Sequence, residues 1–232
     1  ITAEYPNGNG TYAYYATIDA AGASAYPYAI GPTYYGVVLN ENARQMKESK
    51  TFTVNGVEMI IIVGIRPDGT MFYTWVTVSS TGLNVWDSVI TIDGSSPAAG
   101  EPSLANTRDK SSLTLAYKGT DNVVRTRGFT GHSWSPEQVV TVGGQPVAVH
   151  PNTSPALAFV YLPLGLVAGQ EHMIGAFTDP QGFIQLYSPQ LPGPRWGRIP
   201  IPYDQMNSPV GRPVMAWTPG PGDGGVMTTL GA

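Results

Sequence analysis

Three similar phrases divide this sequence: Glu101-Pro102-Ser103-Leu104-Ala105-Asn106, Ser154-Pro155-Ala156-Leu157-Ala158-Phe159 and Arg212-Pro213-Val214-Met215-Ala216-Trp217. After the phrase come a second apolar run, a turn, a third apolar run and a segment that carries an aromatic residue. Self-similarity with a period of about 50 residues is the signature of an array of small sheets. The repeat therefore predicts an all-β fold, and a β-propeller in particular.

The composition suits many short strands joined by tight turns. Of the 232 residues, 12% are charged and 42% are apolar, and the chain contains 28 Gly, 21 Pro and 13 Tyr, which is the make-up of turn-rich all-β domains. The net charge of −4 offers no basic footprint, and nucleic-acid binding needs clustered Lys and Arg to displace counterions. We therefore expect neither DNA nor RNA as a partner.

The sequence also bears on the compartment. It contains no cysteine, which excludes disulfides and thiolate metal sites. Two glycosylation sequons, Asn9-Gly10-Thr11 and Asn152-Thr153-Ser154, favour an exported protein, extracellular or at the cell surface. The longest apolar stretch, residues 156–168, is interrupted by Pro163 and Gly165 and is too short to cross a bilayer, so we expect no membrane span.

Three segments of the sequence predict units of four strands each. One unit has its strands at 155–161, 172–177, 183–187 and 196–201. A second has them at 102–107, 113–118, 123–129 and 134–142, and a third at 33–39, 57–65, 71–78 and 86–92, with a polar insert over 40–50. Between the second and third strands of each unit lies a hairpin signal of turn residues, at 66–69, 119–122 and 179–182.

Each end of the sequence resembles half of such a unit. Residues 10–15 parallel residues 69–74, and the segment 213–230 parallels the first two strands of a unit. One aromatic residue begins each outermost strand, and successive aromatics are 60, 48 and 62 residues apart: Tyr26, Trp86, Trp134 and Trp196. These spacings suit four units of similar length.

We therefore predict a single β-propeller domain of four four-stranded blades, with one blade completed by both termini. The predicted blades are 211–232 joined with 1–31, 32–95, 100–145 and 153–202. Closure of this kind removes exposed sheet edges. The alternative is a fragment of a larger propeller, because such a piece would also begin and end within a blade.

The motifs of catalysis and of metal binding are missing from the sequence. None of the three histidines, His132, His150 and His172, has a second His or a Cys at ligand spacing, and there is no Gly-x-Ser-x-Gly elbow or phosphate-binding loop. We expect no metal site, no cofactor and no catalytic residues. Glycosidases on propellers use paired carboxylates on inner strands, and the acidic residues near predicted inner strands are Glu101, Asp109 and Asp204.

The repeated aromatic of each outermost strand has two explanations. The ring can pack against the neighbouring blade, since a large aromatic buries 150–250 Å². Alternatively, a partly exposed ring can stack on the apolar face of a sugar in the groove between blades, with a nearby Arg or carboxylate bonding its hydroxyls. The second explanation selects five candidate binding residues: Trp134, Trp86, Trp196, Tyr26 and Arg127.

Three motifs follow one another along the chain. Two lie in the second unit, Gly119-Thr120-Asp121-Asn122-Val123-Val124 and Gly131-His132-Ser133-Trp134-Ser135, and the third, Thr153-Ser154-Pro155-Ala156-Leu157-Ala158, opens the next blade. Together they resemble the repeats of bacterial PLL-type propeller lectins and of the related tectonin-like modules, over about 40 residues. The resemblance implies sugar recognition between blades, and by matching position it implies a role for Trp134, and less directly for Trp86 and Trp196. Resemblance to a family is weaker evidence for a shared function than for a shared fold.

Three functional hypotheses follow. The first is a non-enzymatic propeller that binds glycans or a cell-surface polysaccharide. The second is a structural or adhesive protein-interaction propeller whose partner is another copy or a partner chain, with its aromatics entirely in the core. The third is a glycosidase, which requires two carboxylates about 5–10 Å apart at the channel.

Overall fold

The structure is a computed structural model, and it describes residues 2–7, 10–15, 35–39, 46–78, 84–86, 89–107, 109–131, 133–162, 170–190, 195–199, 213–218 and 226–231. Every regular element in these ranges is a β-strand and none is a helix, which confirms the all-β prediction. Within the same ranges there is accordingly no apolar helix of membrane-spanning length.

Twenty strands are defined. In chain order they are β1 Thr2–Asn7, β2 Gly10–Tyr15, β3 Tyr35–Leu39, β4 Met46–Val54, β5 Val57–Ile65, β6 Met71–Val78, β7 Asn84–Trp86, β8 Ile90–Thr91, β9 Ser103–Asn106, β10 Leu113–Lys118, β11 Val124–Phe129, β12 Gln138–Val139, β13 Thr141–Val142, β14 Gln145–Pro146, β15 Ala156–Leu162, β16 Gln170–Thr178, β17 Ile184–Gln190, β18 Arg195–Ile199, β19 Pro213–Thr218 and β20 Val226–Gly231.

Three of the sheets are full antiparallel meanders. The β4 sheet has the order β4-β5-β6-β7, with β8 also pairing with β6, and the β9 sheet has the order β9-β10-β11-β12. The β15 sheet runs β15-β16-β17-β18 and is extended by β13 and β14 on its outer side. Strands β4, β9, β15 and β19 lie side by side in that order, so successive sheets are neighbours, as blades are in a propeller.

The same turn joins the second and third strands in all three full sheets. The N–H of its first residue donates to the carbonyl of the fifth, at 2.9 Å from Arg66 to Thr70, and at 3.0 and 2.8 Å in the turns that begin at Gly119 and Asp179. The fourth position has a positive φ and holds Gly69, Asn122 and Gly182, because Gly and Asn adopt left-handed backbone at low cost. The three predicted hairpin signals are confirmed.

The outer tryptophans occupy one register position. Each lies opposite the sixth residue of its third strand, counted from the turn, in the antiparallel pairs Val76–Trp86, Phe129–Trp134 and Pro189–Trp196. The structural equivalence that the spacing predicted for these three residues therefore holds for the backbone.

Apolar side chains fill the spaces between neighbouring sheets. One buried cluster joins the β4 and β9 sheets and includes Phe52, Tyr73, Leu115, Tyr117 and Phe129. A second cluster joins the β9 and β15 sheets and includes Ala116, Val124, Val140, Phe177 and Trp196. Because side chains alternate along a strand, the β9 sheet contributes one face to each of these two clusters.

The structure differs from the prediction at the start of the third unit. The predicted first strand at 33–39 corresponds to β3, which pairs with β2 in the sheet β1-β2-β3. Residues 46–50 of the predicted polar insert instead form the first part of β4, which pairs with β5 along almost its whole length. Backbone pairing and the buried Phe52 outweigh the polar composition of this segment, so the β4 sheet begins after residue 45.

The predicted closure of the ring is not seen in the described ranges. Strands β19 and β20 pair only with each other, and β1, β2 and β3 form a separate sheet. The count of four blades is therefore not confirmed. Residues 16–31 and 219–225 of the predicted closing blade lie outside the described residues.

Candidate functional site

Trp134 lies at the interface of the β4 and β9 sheets. Its ring is 4.9 Å from that of Phe129, centroid to centroid, and 5.8 Å from Tyr73 in an edge-to-face arrangement, a geometry that aromatic pairs favour. The residue is only partly buried. It thus combines a fixed position with some accessible surface.

Trp75 shares this interface, and sequence reasoning missed it. It is also partly buried, and its ring is 5.7 Å from that of Tyr73, so Tyr73 contacts both indoles. We name these three residues the aromatic triad. On β6, Trp75 lies two positions after Tyr73 and therefore on the same face, and this period-2 signal could have identified Trp75.

The polar atom of Trp134 has no hydrogen-bond partner. Its Nε1 is buried and is one of three such side-chain atoms in the described residues, although buried polar groups are normally hydrogen-bonded. The accessible surface of Trp134 therefore excludes Nε1. Contact with a ligand at this residue would be apolar unless the ring moves.

Hydrogen bonds hold the segment that carries Trp134 against β11. The Ser135 N–H donates to the Gly128 carbonyl at 2.7 Å, and the Gly128 N–H donates to Ser135 Oγ at 2.8 Å. Arg127 Nε donates to the Ser135 carbonyl at 2.6 Å. Trp134 is thereby fixed by its immediate neighbour in the chain.

Arg127 is buried, with 6% of its surface exposed. Besides its bond to Ser135, its Nη1 donates to the Asp93 carbonyl at 2.7 Å and to Ser95 Oγ at 2.6 Å. These contacts join β11 to the connection between the β4 and β9 sheets. The role of Arg127 as a ligand-binding residue stays a prediction, and its observed partners are backbone carbonyls and a hydroxyl.

Glu137 is the acceptor of four hydrogen bonds from three separate parts of the chain. Ser96 donates through N–H at 2.6 Å and through Oγ at 2.8 Å. Arg125 Nε donates at 3.1 Å, and the buried hydroxyl of Tyr117 donates as well. Charge-assisted bonds of this kind are the strong ones, so Glu137 fastens the Trp134 segment to β10, to β11 and to the preceding connection.

Arg125 links this carboxylate to a second one. Its two Nη atoms donate to the two oxygens of Asp121, each at 2.7 Å, and Nη1 also donates to the Val123 carbonyl at 3.0 Å. The guanidinium is 11% exposed as a side chain, Glu137 17% and Asp121 51%. The network is therefore buried at its Glu137 end and open at its Asp121 end.

The network perturbs the pKa of each of its acidic members. The hydrogen bonds from Arg125 lower the pKa of Asp121 to about 2, against a smaller opposing effect of burial. Burial alone would raise the pKa of Glu137, but the bonds from Tyr117 and Ser96, with the charge of Arg125, outweigh it and hold that pKa below its usual value. Burial, and then the bond to Glu137, raises the pKa of Tyr117.

Acid is therefore expected to destabilise the fold. Because both carboxyl pKa values are depressed, their contribution to the free energy of unfolding is complete above the unfolded-state values of about 4 and is lost as the pH falls through the folded values. We expect urea unfolding midpoints to decline between pH values of about 4 and 2, and to decline less steeply in Asp121→Asn. Identical profiles for the two proteins would contradict this assignment.

The other candidate residues differ in their surroundings. Trp196 is 6% exposed and packs with its ring 6.0 Å from Phe177, within the β9–β15 cluster. Trp86 is described as part of β7 by its backbone alone, and Tyr26 lies outside the described residues. Only Trp134 of the sequence candidates is thus seen with a partly accessible side chain.

The described residues contain no group of three or more His, Cys, Asp or Glu placed to hold a metal ion. His172 is partly buried on β16 and His150 is partly buried before β15, whereas His132 is outside the described residues. The absence of a metal and of a cofactor stays a prediction.

Among solved structures, the chain is similar to AofleA from Arthrobotrys oligospora, determined as a variant with three arginine-to-alanine substitutions. The TM-score is 0.56 at 12% sequence identity, and the match covers 98% of this chain and 64% of AofleA. This likeness shows a shared fold. The chain spans 64% of the length of that protein.

Two further structures match with lower scores. Aleuria aurantia lectin, described as a fungal lectin with a six-bladed β-propeller fold and a fucose recognition mode, has a TM-score of 0.38 at 11% identity over 99% of this chain and 95% of the lectin. The GH43_1 enzyme from Xanthomonas citri, solved with xylotriose, has a TM-score of 0.42 at 13% identity over 92% of this chain and 77% of the enzyme.

No protein-family model matches the chain, and no curated protein matches it either. The structures that resemble it thus include a propeller lectin at low identity. The narrower resemblance to PLL-type and tectonin-like repeats stays a prediction.

Proposed function

We propose that this protein is a propeller that binds carbohydrate without altering it, at the interface of the β4 and β9 sheets. The observation that carries the proposal is the aromatic triad, in which the partly exposed Trp75 and Trp134 both contact Tyr73. Sugar-binding sites pair apolar ring surface with a few polar groups that fix orientation. Soluble glycans or a cell-surface polysaccharide outside the cell are the proposed partners.

Such a site would bind a single sugar weakly. If neighbouring interfaces also bind, a polysaccharide that engages several of them at once would be held far more tightly than a monosaccharide, because later contacts form at high effective concentration. Trp86 and Tyr26, at matching places in the sequence, are the candidates for such additional sites.

Trp134→Ala is expected to abolish glycan binding while leaving the fold largely intact. The substitution removes apolar surface that is already partly accessible, so the loss of buried area is smaller than at a core position. Binding would be measured on a glycan array that includes L-fucosides and xylo-oligosaccharides, and the fold by circular dichroism. If the variant still binds glycan, or if it unfolds instead of losing binding alone, Trp134 is a core packing residue and not a ligand contact.

A structural or adhesive role is the second candidate. Trp196 has the same register position as Trp134 but is buried between sheets, which favours packing as the role of the repeated aromatic there. Under this hypothesis the wild-type protein binds no glycan on the array and self-associates or captures a partner chain. Sedimentation velocity over a range of concentrations would detect the self-association.

A glycosidase is less well supported. Glu101 precedes β9 and Asp109 follows it, so the two carboxylates stand at opposite ends of this strand instead of converging on one point. Asp204 lies outside the described residues. Retaining and inverting glycosidases need their two carboxyl groups within about 10 Å of each other, and release of p-nitrophenol from aryl glycosides would test the activity directly.

A further inference from the structure

We infer that Glu137 is a positioning residue for Trp134: it fixes the segment 133–137 at the β4–β9 interface and so sets where the indole lies. Its effect on sugar affinity rests on the proposed function, whereas its effect on the indole does not. The inference stands on the hydrogen bonds of Glu137 and on the short chain between it and Trp134.

Glu137 lies in a connecting segment, and four hydrogen bonds hold its carboxylate in place. Its two carboxylate oxygens accept from Tyr117 on β10, from Arg125 on β11 and twice from Ser96. Ser96 belongs to the connection that follows the β4 sheet, so the carboxylate bridges the two sheets between which the aromatic triad lies. A change at Glu137 therefore alters contacts on both sides of the interface.

The short chain between Glu137 and Trp134 couples the position of the carboxylate to the position of the indole. Only Ser135 and Pro136 separate them, and Pro136 restricts its own φ and the backbone of the residue before it. Ser135 is itself held to β11 through Gly128 and Arg127. Trp134 is thus followed directly by one fixed residue, Ser135, and two positions later by the fixed carboxylate of Glu137, with little freedom in the connecting backbone.

Among the three full sheets, the described residues show this arrangement in the β9 sheet alone. Counted from the shared turn, the position of Arg125 is held by Phe72 in the β4 sheet and by Gln185 in the β15 sheet. Counted from the outer tryptophan, the position of Glu137 is held by Ile199 in the β15 sheet. The Arg125–Glu137 ion pair therefore lies at the interface that has two partly exposed tryptophans. Within the described part of the chain, it has no equivalent at the interface where Trp196 is buried.

The test follows the indole of Trp134 directly by nuclear magnetic resonance. In protein labelled with ¹⁵N-tryptophan, the Nε1–H peak of Trp134 is assigned by its disappearance in Trp134→Phe. Glu137→Gln removes the charge but keeps the size of the side chain, and we expect it to shift this peak. The matched control is Asp121→Asn, which also removes a carboxylate partner of Arg125 but lies outside the Trp134 segment, and it should leave the peak in place.

The outcomes separate this inference from the proposed function. An unmoved Trp134 peak in folded Glu137→Gln, or an equal shift in Asp121→Asn, overturns the positioning role whatever the protein binds. If wild-type protein binds no glycan on the array, the proposed function fails. The shift of the Trp134 peak in Glu137→Gln still tests the positioning role in that case. If a glycan does bind, we expect Glu137→Gln to weaken it several-fold and Asp121→Asn to leave it unchanged.

A milder variant covers the case in which Glu137→Gln does not fold. Ser96→Ala removes one hydroxyl donor to the carboxylate and keeps its charge and its other bonds. We expect it to shift the same Trp134 peak away from its wild-type position. Absence of any shift in this variant would likewise contradict the role assigned to Glu137.

Discussion

Arg125→Met should lower the free energy of unfolding by about 3 kcal/mol, because removing one member of a buried ion pair leaves the other without compensation. The guanidinium bonds both Asp121 and the buried end of the network at Glu137. In the variant Glu137 keeps its bonds from Tyr117 and Ser96 but loses the only cation that the structure shows bonded to it in the described residues. Guanidinium chloride unfolding followed by circular dichroism would measure the loss.

Two further variants test whether the ion pair is the cause. Glu58→Gln removes the exposed pair between Glu58 and Lys110, and pairs at the surface contribute less than about 1 kcal/mol. The double variant Arg125→Met/Glu137→Gln should recover part of the stability, since no carboxylate is then left unpaired at the buried end. Equal losses in Arg125→Met and Glu58→Gln, or strictly additive effects in the double variant, would show that the network does not stabilise the fold in this way.

Much of the fold was predictable because local chemistry determines it. The turns at Gly69, Asn122 and Gly182 need a positive φ, which Gly and Asn supply, and a tryptophan follows each turn after 12 to 17 residues. Strand β4 was missed because its exposed Lys47 and Ser49 make the segment resemble a loop. Its stability comes from pairing with β5, which no local pattern in the sequence reveals.

The site was only partly predictable, since it depends on contacts that are distant in the sequence. Trp134 was identified through the repeat, but Ser96 is 41 residues from Glu137, and no motif links the two. The difference in exposure between Trp134 and Trp196 could not be predicted from the sequence either. Strand β13 pairs in parallel with β18 beside Trp196, and Val140 belongs to the same buried cluster as that indole. The sequence instead placed residues 140–142 in an outer strand of the preceding unit.

That difference in exposure predicts a large difference in stability. Trp196→Ala should lower the free energy of unfolding by about 3–5 kcal/mol, the range for deleting a large buried aromatic, because it removes burial and leaves a cavity. The cavity would be lined by Phe177 and by the valines contributed from β13 and its neighbours. Urea unfolding at neutral pH would measure the loss, with Trp196→Phe as a variant that retains most of the packing.

Trp134→Ala is the matched control, since it truncates the same residue type at the same register position. It should cost clearly less stability than Trp196→Ala, because part of the Trp134 side chain is already accessible and burial energy follows the apolar area removed from water. Equal losses would mean that both indoles are structural, and the carbohydrate proposal would lose its main support. A large loss at Trp196 with a small loss at Trp134 would instead show that one repeated position serves packing at one interface and leaves a ring free for a ligand at the next.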